Sequence, residues 1–106
     1  MGILIVNRIN YDYKIWLTYK GKPLIGKGRY LLLKNIDDTN SLKKSAEKLG
    51  ISYKTAYNYI NKIENRLSEK IIISHKGGKE AGGYTNLTLL GKELIKRYEE
   101  VIEKIE

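Results

Sequence analysis

The chain contains no cysteine, which excludes disulfides, thiolate metal sites and cysteine nucleophiles. It has one histidine, His75, at the end of an apolar run. A lone histidine without cysteine partners builds neither a zinc site nor a Ser-His-Asp triad, and here a contact with phosphate or water is expected. No apolar run approaches about 18 residues, so no membrane span is expected. The start, MGILIVNRINYDY, lacks a basic region before its short apolar run and lacks a small-residue cleavage site. No signal peptide is read there, and the expected location is cytoplasmic. Without a secretion signal, the sequon at Asn86-Leu87-Thr88 carries no weight. Gly26-Lys27-Gly28 and Gly77-Gly78 complete neither phosphate-loop pattern. Five of the twelve carboxylates gather near the C-terminus at solvent-facing spacings, which fits surface charge better than paired catalytic acids. No enzyme and no cofactor are expected.

What the chain does have is positive charge. Lys and Arg number 20 against 12 Asp and Glu, for a formal net charge of +8 and a pI near 9.6 in 106 residues. That length suits one domain, residues 1–106. A small basic domain is drawn to polyanions, nucleic acid first. The charge is uneven: residues 1–88 carry +9 and residues 89–106 carry −1. The body is therefore expected to face a polyanion, and the last segment to face away from it or toward a partner.

Residues 41–67, SLKKSAEKLGISYKTAYNYINKIENRL, read as two helices around a tight turn. Ser41 is a candidate N-cap. Leu42, Ala46 and Leu49 share one face of the first helix, and Gly50 suits a left-handed turn. In the second helix Ala56, Tyr59, Ile60, Ile63 and Leu67 recur at spacings of three and four. That stripe leaves Tyr53, Lys54, Tyr57, Asn58, Asn61 and Lys62 outside, with no carboxylate before Glu64. Asparagine can pair with adenine, lysine can reach guanine or phosphate, and tyrosine can bond phosphate or pack on a thymine methyl. A solvated helix face is the plainer alternative, but exposed tyrosines fit it poorly.

The flanks complete a body. Residues 13–19 alternate, with Tyr13, Ile15, Leu17 and Tyr19 on one expected buried face, and a turn at residues 20–23 leads to a short return strand at Leu24-Ile25. Residues 29–37 read as a helix carrying Leu32, Leu33 and Ile36. Beyond the two-helix unit, residues 70–75 read as a strand, residues 76–84 as a glycine-rich basic loop and residues 85–87 as a returning strand. This is an expected wing in which Lys76 and Lys79 supply charge and the Gly77 and Gly78 backbone can approach phosphates; the alternative is a linker. Thr88 caps a last helix running to about residue 105. Leu94, Tyr98, Val101 and Ile105 step by four, three and four, and Leu90, Ile95 and Ile102 widen the stripe. A dimer face is expected at Leu90, Leu94, Tyr98, Val101, Ile102 and Ile105, although so broad a stripe also suits docking on the chain's own core.

The run from Gly50 to Val101 resembles the N-terminal DNA-binding domain of the ModE molybdate-responsive transcription regulators, a LysR-type winged helix. The resemblance rests on GISYKTA at residues 50–56, RLSEKIII at 66–73, the glycine-rich wing, and LTLLGKELI at 87–95. With the hairpin and the helix in front, the resemblance covers residues 13–105. It implies an α+β winged helix-turn-helix with an N-terminal β-hairpin and a long C-terminal dimerisation helix. It further implies a homodimer bound to an inverted repeat in double-stranded DNA. Contact positions carry over to Ser52, Tyr53, Lys54, Thr55, Tyr57 and Asn58, with the wing at residues 77–83. In this chain Glu80 and Ala81 interrupt that wing. Regulators of the family usually carry a molybdate-binding domain for which 106 residues leave no room, so a separate effector-sensing protein joins the list of expected partners. The competing readings are a protein-interaction winged helix and a non-specific DNA-coating protein.

Overall fold

The computed structural model describes residues 2–75 and 84–106. Its elements run α1 (Gly2–Val6), β1 (Leu17–Tyr19), β2 (Lys22–Ile25), α2 (Lys27–Thr39), α3 (Leu42–Leu49), α4 (Tyr53–Leu67), β3 (Ile72–His75), β4 (Tyr84–Leu87) and α5 (Leu89–Ile105). Among the described residues, no helix is long and apolar enough to cross a membrane.

The first hairpin is shorter than its alternating pattern suggests. Only Leu17, Thr18 and Tyr19 pair with β2, antiparallel, and a bulge falls between Leu17 and Thr18. The partner strand sets this limit: Gly26 ends it and α2 begins at once, so earlier residues have nothing to bond. Tyr13 and Tyr19 are exposed rather than buried, while Ile15 and Leu17 are half-buried against the core. The turn places both Lys20 (φ 50°) and Gly21 (φ 78°) in the left-handed region, the backbone that closes a two-residue hairpin with the twist of its strands. Upstream, α1 forms where no element is expected from the sequence pattern, and every residue in it is exposed.

Helix α2 lies at the centre. Leu32, Leu33 and Ile36 are fully buried, in one cluster with Ile25, Ile60, Ile63 and Ile71. It runs two residues further at each end than residues 29–37. It stops at Asn40, whose left-handed backbone lets its N–H donate to the Ile36 carbonyl at 2.8 Å. Asn40 also ties the body to the second hairpin. Its carbonyl accepts from the Thr85 N–H at 2.8 Å, and its side-chain oxygen accepts from Asn86 Nδ2 at 3.0 Å.

The two-helix unit forms as its sequence implies. Ser41 Oγ accepts from the Lys44 N–H at 3.0 Å and Gly50 turns the chain at φ 68°. Ala46, almost wholly buried, keeps α3 close to α4. Between β4 and α5, Thr88 Oγ1 accepts from the Gly91 N–H at 3.2 Å and donates to the Lys70 carbonyl at 2.8 Å. Gly91 lies so near β3 that a Cβ there would stand 2.5 Å from the Ile71 carbonyl oxygen. Only glycine lets α5 dock at this depth.

Helix α5 corrects one expectation. Tyr98, assigned to a dimer face, is buried in the chain's own core. Its ring stacks on Tyr30 with centroids 4.5 Å apart, and its hydroxyl donates to the Ile15 carbonyl at 3.2 Å. Leu90, Leu94 and Ile102 are half-buried against the same core. The intramolecular alternative therefore claims much of the stripe. Val101 is partly exposed and Ile105 exposed.

Candidate nucleic-acid interface

Helix α4 is built to present its outer face. Ser52 Oγ accepts from the Thr55 N–H at 3.0 Å and donates to Thr55 Oγ1 at 2.9 Å. Two positions expected to contact DNA thus also form the cap that starts the helix. Ala56, Ile60 and Ile63 anchor the inner face, with Tyr59 and Leu67 half-buried beside them. Tyr53, Lys54, Tyr57, Asn58 and Lys62 are exposed, and Asn61 and Thr55 are half-buried. The structure therefore gathers the expected residues on one side of one helix.

Among the described residues, the lysines around this face are in no ion pair. Among the described residues the ion pairs are Lys34–Glu99, Lys70–Glu64 and Arg97–Glu100. None involves Lys54 or Lys62, nor the exposed Lys43, Lys44 and Lys48 of α3. Lysines held in no salt bridge keep their full charge available to a polyanion.

Glu64 behaves differently from its expected place on the outer face. It is buried, and its Oε2 accepts from the Ile71 N–H at 2.8 Å and the Ile72 N–H at 3.4 Å, while Lys70 Nζ stands 3.5 Å from Oε1. This carboxylate pins the first strand of the second hairpin to α4, so the two parts keep a fixed relation. The sequence holds a signal for it: Glu64 follows Ile60 by four, on the inner stripe. Between these elements lies a notch of about 340 Å³ lined by Tyr57, Asn61, Ile72 and Ile73 among others.

The second hairpin pairs Ile72 with Leu87, Ile73 with Asn86, Ser74 with Thr85 and His75 with Tyr84. His75, expected to meet phosphate or water, stacks on Tyr84 with ring centroids 4.3 Å apart. The expected wing contacts Lys76, Gly77, Gly78 and Lys79, together with Glu80 and Ala81, lie outside the described residues.

Away from the outer face of α4, an aromatic cleft of about 750 Å³ opens at the start of α2, lined by Tyr13, Trp16, Tyr30, Tyr59 and Tyr98. The Trp16 ring covers Gly26, where a Cβ would come within 2.8 Å of it. Arg29 donates to the Leu24 carbonyl at 2.8 Å and lies 5.4 Å over the Tyr59 ring, and burial lowers its pKa. Tyr30 donates to Glu99 at 2.6 Å. Burial first, and then that hydrogen bond, push the Tyr30 hydroxyl up to about 12. The same bond, helped by Lys34, holds the Glu99 carboxyl below its ordinary value. These groups join α2 to α4 and α5.

Three helices, with the third carrying an exposed basic face and followed by an antiparallel hairpin and a docked helix, define a winged helix-turn-helix domain. Over about two thirds of its length the chain is similar in sequence to proteins named as ModE transcriptional regulators. No family model matches it. The transcriptional regulator ModE of Yersinia pestis is 42% identical over 71 residues, 67% of this chain and 27% of that protein. The DNA-binding transcriptional dual regulator ModE of Escherichia coli K12 is 41% identical over the same length and shares. The molybdenum-pterin-binding protein MopB of Rhodobacter capsulatus is 36% identical over 74 residues, 70% of this chain and 27% of that protein. The chain thus spans about a quarter of the length of these curated relatives. Among solved structures, ArgP from Mycobacterium tuberculosis superposes with a TM-score of 0.54 at 15% identity, over 73% of this chain and 27% of that one. That likeness concerns the fold alone.

Proposed function

We propose that this chain is a sequence-specific DNA-binding transcription regulator that lays α4 in the major groove. The observation that carries the reading is the outer face of α4. Tyr53, Lys54, Tyr57 and Asn58 are exposed together on a capped, well-anchored helix, and among the described residues no carboxylate is ion-paired with Lys54. Lysines of α3 and α4 supply phosphate contacts, which position the protein, and Asn58 and Lys54 supply base contacts, which specify. Lys76 and Lys79 add backbone contacts from the wing. Relatives named as transcriptional regulators support the role, which is binding rather than catalysis.

Homodimerisation and an inverted-repeat operator complete the proposal. With Tyr98 committed to the core, the remaining seam is Leu90, Leu94, Val101, Ile102 and Ile105 on α5. Two copies joined there carry two recognition helices to two half-sites, as protein and operator symmetry require. The regulator's place of work is the cytoplasm.

Selection from random duplexes with the purified chain tests the reading. Enrichment of a two-fold repeated motif is expected, with affinity falling steeply as salt rises because phosphate contacts release counterions. A pool that enriches no motif overturns sequence-specific recognition.

A further inference from the structure

The rings of Tyr53 and Tyr57 are stacked on the outer face of α4, with centroids 6.4 Å apart and planes inclined by 15°. Both are about half exposed, at 56% and 48%. Among the described residues neither hydroxyl has a hydrogen-bond partner, and neither ring packs into the core. Two parallel rings one helical turn apart make an apolar pad on a face that is otherwise polar. The floor of the major groove offers hydrogen-bond donors and acceptors at every base pair, but only one apolar group, the thymine C5 methyl. Rings 6.4 Å apart span more than one base step of about 3.4 Å, so the pad can meet two neighbouring thymines. Asn58, next along the helix, has the amide that pairs with adenine, the base opposite thymine.

We propose that Tyr53 and Tyr57 form a thymine-methyl reader, so that the protein distinguishes thymine from uracil or unmethylated cytosine at adjacent operator positions. This inference rests on the major-groove reading above. The hydroxyls are incidental to it: the ring faces do the recognition.

The test uses the duplex selected by the purified chain, remade with deoxyuridine in place of thymine one position at a time. Base pairing is unchanged and only the methyl is lost. Binding is expected to weaken about three- to fivefold at one or two positions per half-site, the scale of burying a single methyl. In the double variant Tyr53→Ala and Tyr57→Ala those positions should become indifferent to uracil. Tyr53→Phe and Tyr57→Phe should retain the discrimination, since the ring survives. A selected motif whose uracil forms bind as well as the thymine forms at every position overturns the inference while leaving sequence-specific binding intact. So do phenylalanine variants that lose as much as the alanine ones, because the hydroxyls would then be bonding phosphate. A selection without any motif overturns the reading of the site itself and this inference with it.

Discussion

Helices α4 and α5 are both amphipathic, both capped by a hydroxyl, and both packed on α2, yet they use their second faces differently. Helix α4 buries Ala56, Ile60, Ile63 and Glu64 and leaves a basic, aromatic face exposed. Helix α5 buries Gly91, Ile95 and Tyr98, and its exposed side carries mixed charges that nearly cancel. The lesson concerns the outer face. Lysines and unpacked rings suit a polyanion, whereas balanced charge does not.

The sharpest way to break this comparison is Gly91→Val. The added side chain would collide with the Ile71 carbonyl, forcing α5 away from β3. A loss of about 3 kcal/mol in unfolding free energy is expected, read by chemical denaturation, at the upper end of overpacking costs. Asn58→Ala comes next. It should leave stability unchanged but reduce discrimination between operator and scrambled duplex by about 1–3 kcal/mol, measured as a ratio of affinities at fixed salt. Equal loss on both duplexes would place Asn58 at phosphate instead of base.

A smaller effect is expected from Val101→Lys with Ile105→Lys. If the outer edge of α5 is the seam, dimer dissociation should rise about tenfold, worth about 1.4 kcal/mol, in sedimentation across a concentration series. An unchanged dissociation constant would remove that edge from the proposed interface. The smallest effect concerns pH. The Tyr30 hydroxyl titrates near 12 in the folded chain against an ordinary value of 10.0. The folded state therefore binds the proton more tightly, so this contribution is complete below pH 10 and is lost as pH rises toward 12. Tyr30→Phe should flatten that alkaline decline in stability. A decline of unchanged slope would assign it to other groups.

Much of the body was legible because local rules and tertiary context agree. Ser41 and Gly50 signal a cap and a turn by their own chemistry, and the spacing of Ala56, Ile60 and Ile63 marks an inner face. The exposed residues of α4 follow by subtraction. Where several partners compete for one group, the pattern falls short. Tyr13 sits in an alternating run, but β2 is too short to pair with it. Its hydroxyl instead donates to Glu106 at 3.1 Å. Glu64 is a charged residue that spacing alone would set inside and chemistry would set outside. Two backbone N–H groups at Ile71 and Ile72, which need an acceptor, resolve the conflict.

The sequence by itself determined the order of elements from β1 onward, the caps, most of the inner and outer faces of α4, and the positive charge of the body. These follow from periodicity, backbone preference and composition, which act over a few residues. Only the tertiary structure decided that Glu64 would hold the second hairpin against α4, that Gly91 would let α5 dock, and that Tyr98 would belong to the core. Each depends on groups distant in the chain meeting at a few ångströms, and no local pattern fixes which of several apolar or polar neighbours will arrive there.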